Sequence, residues 1–344
     1  MELQHFIALG IFLAIVMVML AVDLFVLHRR PHEIRMREAF FGTVLPMVSA
    51  VGFMVAVYWA YERHWLGLGV LTDAERAGGV ARYYAANGWD AAVLFLTGYL
   101  VELSMSADNV FLFVVLMGFF KVPRELQHRV LFWGVIGAVV MRGAMIAAGV
   151  ALLAKFEWII YVFGVLLIVA AVKMLFAKYE ERGGDPGKSW AVRVLQKILP
   201  IKPGYEGKRF FTRNEKGALV GTSLLMVLVC IEVTDLVFAL DSIPAIFGIT
   251  RDWFLIFTSN VFAIIGLRSM YFLLAGAMDR FGYLKPALAA ILGFVGVKMV
   301  LPAFVEWHIN AYVSLLVIAG VLAVSVVLSI LFPCRSFTGE HAKA

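Results

Sequence analysis

Long apolar runs, each of about twenty residues, dominate this sequence and leave few folds open to it. As a helix that rises about 1.5 Å per residue, such a run crosses a hydrocarbon layer about 30 Å thick. Of all residues, 62% are hydrophobic and 16% are charged, whereas soluble domains carry about 25% charged residues. We therefore predict an all-α, polytopic membrane helix bundle.

The apolar runs predict nine transmembrane helices, at 4–27, 40–61, 91–119, 130–153, 158–176, 218–245, 253–275, 288–304 and 311–332. They divide the chain into five regions. These are two N-terminal helices with their loops (1–90), a first three-helix unit (91–178), a basic connector (179–216), a second three-helix unit (217–304) and a C-terminal helix with its tail (305–344).

Lysine and arginine are distributed unevenly between the two sides of these helices. If the N-terminus is outside, the inside segments hold 21 of them and the outside segments hold five. Cytoplasmic loops carry such an excess, so we predict a periplasmic N-terminus and a cytoplasmic C-terminus. The inside loop at 177–217, which contains the connector, alone holds ten lysine and arginine residues, which is typical of a segment near anionic lipid headgroups. The net charge of +6 therefore indicates topology and no nucleic-acid partner.

The two three-helix units resemble each other in sequence. ELSMSADN at 102–109 aligns with DLVFALDS at 235–242, which places an acid six residues before an acid in both. Further along, two pairs of basic residues also match, Arg142 with Arg268 and Lys173 with Lys298. Because each unit has three helices, the second copy is expected to be inverted in the membrane. Inverted repeats are common in secondary transporters, although a duplication kept only for packing remains the alternative.

Five acids lie in the third and sixth predicted helices: Glu102, Asp108, Glu232, Asp235 and Asp241. An ionised side chain in the middle of a membrane helix costs about 2.5–3.5 kcal/mol, so these groups need partners, protons or a bound cation. Neighbouring amide and hydroxyl oxygens complete a set of hard donors that suits magnesium, calcium or manganese better than copper or zinc. We predict that the metal site is formed by these five acids with Asn109 and Ser242.

The spacing of the acids also predicts a local break in each helix. Six residues turn an uninterrupted helix by about 240°, so both acids of one pair would not face the same ion. Pro244, three residues after Asp241, removes a backbone donor where such a break is expected. In the third helix, the residues between Ser104 and Asn109 favour unwinding more weakly.

Four basic residues fall within the predicted helices, and we interpret them as charge partners of the acids: Arg142, Lys173, Arg268 and Lys298. In one interpretation they compete for the carboxylates in alternate states of transport. In the other, Lys173 only reaches the interface with its long side chain. Asp23 either pairs with a neighbouring arginine or lines a vestibule, and the sequence leaves this choice open.

Three motifs, ELSMSADNVF, EVTDLVFALDSIPAIFG and DLFVLHRRPHEIRMREA, resemble the TerC family, and the resemblance runs over nearly the whole chain. The nine-helix length is similar to that of the family's Alx branch. The resemblance implies a bacterial inner-membrane protein of the wider LysE-type transporter group, associated with manganese export. It also implies metal-site roles for Glu102, Asp108, Asn109, Asp235 and Asp241.

We therefore predict a secondary transporter that exports divalent cations, with Mn²⁺ as the transported ion, Ca²⁺ as the alternative, protons as the counter-ion and no organic cofactor. The direction of transport follows from the resemblance alone. An intramembrane enzyme is disfavoured because zincin, nucleophile-elbow and phosphate-loop motifs are missing from the sequence. A membrane partner that delivers metal to extracytoplasmic metalloenzymes is the other function left open, and the sequence gives no oligomeric state.

Overall fold

The computed structural model describes residues 3–22, 36–70, 83–156, 158–176, 200–202, 204–213, 217–275, 283–305 and 309–331. Within these ranges the chain forms ten α-helices and one small sheet. The helices are α1 (Leu3–Val22), α2 (Met36–Glu62), α3 (Gly88–Phe119), α4 (Arg124–Lys155), α5 (Ile159–Phe176), α6 (Ser223–Phe247), α7 (Trp253–Ile265), α8 (Leu267–Ala275), α9 (Leu284–Val300) and α10 (Ala311–Leu331).

A helix coincides with each predicted apolar segment, and the seventh segment is divided at Gly266 into α7 and α8. Six of the described helices are long and apolar enough to cross a membrane, namely α2, α4, α5, α6, α9 and α10. Their outer faces expose apolar side chains, including Val55, Val165 and Leu316, which lipid solvates and water does not. The all-α membrane class is confirmed. The number of nine crossings and the inverted repeat stay predictions.

Helices of the two three-helix units pack across the boundary between the units. α3 contacts α7, α4 contacts α6, and α5 contacts α9. α2 lies against α3 and α8, while α10 covers α3 and α9. Aromatic rings fill the space between α1, α2, α3 and α7. The Phe53 centroid lies 4.8 Å from that of Phe262, 5.4 Å from that of Phe12 and 5.5 Å from that of Phe95.

The end of the connector forms a three-stranded sheet that the sequence did not predict. Strands β1 (Ile201–Lys202), β2 (Phe211–Arg213) and β3 (Leu219–Thr222) lie in the order β1-β3-β2, parallel and then antiparallel. The expected start of the sixth helix at 218 is therefore wrong. Residues 219–222 pair as a strand, and α6 begins at Ser223.

This sheet is attached to the turn between α3 and α4. The Tyr205 hydroxyl donates a hydrogen bond to the Phe120 carbonyl oxygen at 2.7 Å. The Arg129 guanidinium lies 5.2 Å from the centre of the Phe210 ring. This sheet, the end of α3 and the starts of α4 and α6 therefore lie at one end of the bundle, which we call the connector end.

Candidate functional site

The two acid-bearing helices, α3 and α6, run in opposite directions and contact each other in a regular register. A Cβ atom on Gly98 would lie 3.0 Å from Ile246 Cδ1. Further along α3, Asn109 Nδ2 donates a hydrogen bond to Asp235 Oδ1 at 3.4 Å. Asn109 lies eleven residues after Gly98 on α3, and Asp235 lies eleven residues before Ile246 on α6. The spacing is equal on both helices. It therefore places Glu102, four residues after Gly98, opposite Ser242, four residues before Ile246.

Arg142 of α4 joins the acids of the two helices. Its Nε donates to Asp235 Oδ2 at 3.0 Å and its Nη2 to Asp235 Oδ1 at 2.8 Å. Its Nη1 makes an ion pair with Glu102 Oε1. No more than 2% of any of these three residues is exposed. We call Glu102, Arg142 and Asp235 the central triad; with both carboxylates ionised, it carries one net negative charge.

The helix breaks expected near the acids are absent from the described residues. α3 and α6 are continuous, and Pro244 lies inside α6. The expectation was wrong because it gathered two acids of the same helix, whereas Arg142 gathers one acid from each of two helices. The Arg142 side chain reaches Glu102 on α3 and Asp235 on α6 at the same time, so neither helix needs to unwind.

Glu232 lies beside the central triad, against α4. A Cβ atom on Gly137 would overlap its carboxylate, so Gly137 provides the space for this side chain. Next to it, toward the connector end, is a small cavity. Asp235 contributes the charged group of the cavity wall, and the other lining residues are Phe113, Leu131, Gly134, Val135, Ala138, Ile231, Ile264 and Leu267.

The remaining predicted site residues are separated from the central triad or are not described. Asp241 is half-buried and lies six residues beyond Asp235, so it points about 240° around the helix from the triad. Ser242 is 1% exposed, and its hydroxyl has no hydrogen-bond partner among the described residues. The side chains of Asp108 and Arg268, together with all of Asp23, lie outside the described part of the chain.

The two lysines predicted as charge partners lie elsewhere. Lys298 is buried and donates to Ser314 Oγ at 2.9 Å, between α9 and α10. Lys173 is exposed on α5, as expected of a side chain that reaches the interface. Of the predicted charge partners whose side chains are described, Arg142 contacts the acids.

Within the described residues, no three His, Cys, Asp or Glu side chains lie close enough together to hold a metal ion. A cation at the central triad would therefore have to displace the Arg142 guanidinium and recruit neutral oxygens. One buried group that fits this need was missed from the sequence: Asn260 of α7 is 1% exposed, and neither of its amide atoms has a partner in the described part. The polar triplet Thr258–Asn260 in an apolar helix was the available signal.

Comparison with known proteins shows relatives along most of the chain. An uncharacterized membrane protein of Myxococcus xanthus is 43% identical over 320 residues, which is 93% of this chain and 91% of that protein. A Salmonella typhi protein named "Putative membrane-bound redox modulator Alx" is 42% identical over 321 residues, 93% of this chain and 92% of that protein. The chloroplastic thylakoid membrane protein TERC of Arabidopsis thaliana is 44% identical over 244 residues, 71% of this chain and 62% of that protein.

No solved structure matches the chain. The integral membrane protein TerC family matches residues 87–336, which include all three members of the central triad. Together with the full-length relatives, this match covers both acid motifs and the helices that bear them. The chain belongs to the TerC family of integral membrane proteins.

Proposed function

We propose that this protein is a secondary transporter, and not an enzyme, that exports Mn²⁺ across the bacterial inner membrane in exchange for protons. Its N-terminus is periplasmic and its C-terminus cytoplasmic. The observation that carries the proposal is the central triad, in which one guanidinium pairs with carboxylates from two helices of opposite direction. The choice of manganese and of export rests on the resemblance of the sequence to the TerC family.

The charge balance of the triad suggests how transport would work. Two buried carboxylates are costly without a cation, and Arg142 supplies one while the site is free of metal. A divalent cation entering from the cavity meets Asp235 first and takes the place of the guanidinium. The carboxylates then alternate between Arg142 or protons and the metal. Carboxylate, amide and hydroxyl oxygens favour Mn²⁺, Ca²⁺ or Mg²⁺ over copper or zinc.

The helix pairing supports an alternating-access mechanism. In the two units, α3 corresponds to α6, α4 to α7 and α5 to α9. The contact between α3 and α7 therefore has an equivalent in the contact between α6 and α4, and the contact between α5 and α9 is its own equivalent. A pairing of this kind is expected of two copies related by an axis in the membrane plane. Movement of one unit against the other would open the triad first to one side and then to the other.

Transport by the purified protein in liposomes tests the proposal. We expect wild-type protein to carry Mn²⁺ across a pH gradient, and to carry it faster than Zn²⁺. Asp235→Asn and Asp241→Asn should each reduce the flux at least ten-fold while the protein still inserts. Flux of Asp235→Asn within two-fold of wild type would remove the triad from the mechanism. Transport without any added protein would also exclude an obligatory partner in metal delivery.

Two controls accompany this experiment. Asp90→Asn changes an acid at the start of α3 that accepts a hydrogen bond from Tyr312 at 2.8 Å, and we expect its flux to stay within two-fold of wild type.

The Salmonella relative's name points to redox modulation, and the two cysteines here are Cys230, buried in α6, and Cys334. A Cys230→Ser/Cys334→Ser variant that transports normally separates cation transport from thiol chemistry.

A further inference from the structure

Asn260 is a buried side chain with no explained partner. Its neighbours in α7 satisfy themselves on the helix: Thr258 Oγ1 donates to the Phe254 carbonyl at 2.7 Å, and Ser259 Oγ donates to the Ile256 carbonyl at 3.2 Å. Asn260, 1% exposed, leaves both amide atoms without a hydrogen bond in the described part of the chain. A buried amide in an apolar helix is costly unless something binds it.

The fold places Asn260 close to the central triad. It lies four residues before Ile264, and these two positions share one face of α7; Ile264 lines the same cavity as Asp235. On the α3 side, a Cβ atom on Gly98 would lie 2.9 Å from Ser259 Oγ. Since α3 and α7 run in the same direction from that contact, Asn260 and Glu102 differ in depth by only about 4.5 Å.

A second unpartnered group lies at this depth, on α6. The α3–α6 register places Ser242 opposite Glu102, and the Ser242 hydroxyl has no hydrogen-bond partner among the described residues. Glu102 Oε2 likewise accepts no hydrogen bond from them. Ser242 is seven residues beyond Asp235, about 10 Å along α6 away from the connector end. The Ser242 hydroxyl and the Glu102 carboxylate opposite it therefore lie beyond Asp235 as approached from the cavity.

We propose that Asn260, Ser242 and Glu102 form a second position for the transported divalent cation, on the opposite side of Arg142 from the cavity. The inference rests on the proposed function and adds a ligand from α7 to it. An amide oxygen, a hydroxyl and a carboxylate are hard donors of the kind that Mn²⁺ and Ca²⁺ bind, with water completing the shell. Glu102 belongs to both positions, so it passes the cation from Asp235 to Asn260.

The test is Asn260→Leu, which keeps the side-chain size and removes the amide. We expect Mn²⁺ flux in liposomes to fall at least ten-fold, while the midpoint of thermal unfolding in detergent stays at or above that of wild type. The second readout separates a ligand from a structural residue, because replacing an unsatisfied buried polar group by an apolar one of similar shape does not destabilise a fold. Flux within two-fold of wild type, or a lower unfolding midpoint, overturns the proposal.

Ser325→Ala is the matched control, because Ser325 is also buried and its hydroxyl has no partner among the described residues, but it lies on α10. We expect the flux of this variant to equal that of wild type. If Asn260→Leu cannot be purified as a folded protein, Asn260→Asp tests the same proposal. The added charge should lower the Kd for Mn²⁺, measured by electron paramagnetic resonance of the free ion, at least three-fold, and an unchanged Kd overturns the proposal. The Mn²⁺ flux of the wild-type protein separates this proposal from the proposed function. If the wild-type protein carries no Mn²⁺, both proposals fail; if it does, the variants test only the second cation position at Asn260.

Discussion

At the scale of single residues, Arg142 has the largest energetic consequence. It is 1% exposed and carries both inter-helix ion pairs of the central triad. Its two hydrogen bonds to Asp235 have the side-by-side geometry that only a guanidinium provides, so a lysine would not be equivalent. Removing one member of a buried ion pair leaves the other charge uncompensated, which costs about 3–5 kcal/mol.

We predict that Arg142→Gln lowers the free energy of unfolding by about 3–5 kcal/mol and abolishes Mn²⁺ flux. Arg142→Lys keeps the charge, so its free energy of unfolding and its Mn²⁺ flux should lie between those of Arg142→Gln and wild type. Combining Arg142→Gln with Asp235→Asn removes the charges of one pair together, so the double variant should recover part of the lost stability but no flux. Thermal unfolding in detergent measures the stability of each variant, and Mn²⁺ flux in liposomes measures its transport. A wild-type unfolding midpoint for Arg142→Gln would contradict the triad.

At the scale of secondary structure elements, glycine determines how closely α5 and α9 approach. A Cβ atom on Gly164 would lie 2.6 Å from Val300 Cγ2, and one on Gly296 would lie 2.8 Å from the Gly164 carbonyl oxygen. Each glycine thus packs against the backbone or first side-chain atoms of the other helix. Small residues at such contacts are the usual means by which membrane helices pack, because lipid gives no hydrophobic drive for association.

A bulky residue at this contact should therefore separate the two helices. We predict that Gly296→Leu lowers the free energy of unfolding by about 1–3 kcal/mol, as over-packed cores do, and reduces Mn²⁺ flux. Gly320→Leu on α10 is the control, since no neighbouring side chain or other helix in the described part of the chain lies within 4 Å of a Cβ built there. Equal unfolding midpoints for the two variants would show that α5 and α9 do not depend on this contact.

At the scale of the whole molecule, charge decides how the bundle is oriented in the membrane. The connector sheet lies where α3 ends and α4 and α6 begin, and the loop at 177–217 holds ten of the 30 lysine and arginine residues. Anionic headgroups attract basic segments and the positive-inside rule retains them in the cytoplasm. The connector end, and with it the cavity beside Asp235, is therefore expected to face the cytoplasm, the side on which the proposed export would start.

Cysteine labelling in intact cells checks this orientation. In a Cys230→Ser/Cys334→Ser background, Asn310→Cys, exposed before α10, should react with a membrane-impermeant maleimide. Lys121→Cys, exposed in the α3–α4 turn at the connector end, should react only after the cells are opened. The reverse pattern would place the cavity outside and make the proposed direction of transport untenable.

The sequence was sufficient for the membrane class, the approximate positions of the helices and the motifs, because apolar length and the cost of buried charge are properties of each segment alone. It also named Glu102, Asp235 and Arg142 as candidate residues, and the structure brings their side chains together. Spacing along one helix could not show which acids meet, so it wrongly expected a break at Pro244. It also missed Asn260, whose surroundings come from other helices.

What the sequence determined by itself is that this chain lies in a membrane with charges that need compensation. The tertiary structure decided how they are compensated. The register that sets Gly98 against Ile246 and Asn109 against Asp235 brings Glu102 and Asp235 within reach of one arginine from a third helix. Contacts between helices depend on direction, depth and rotation together, and no local pattern of residues fixes all three.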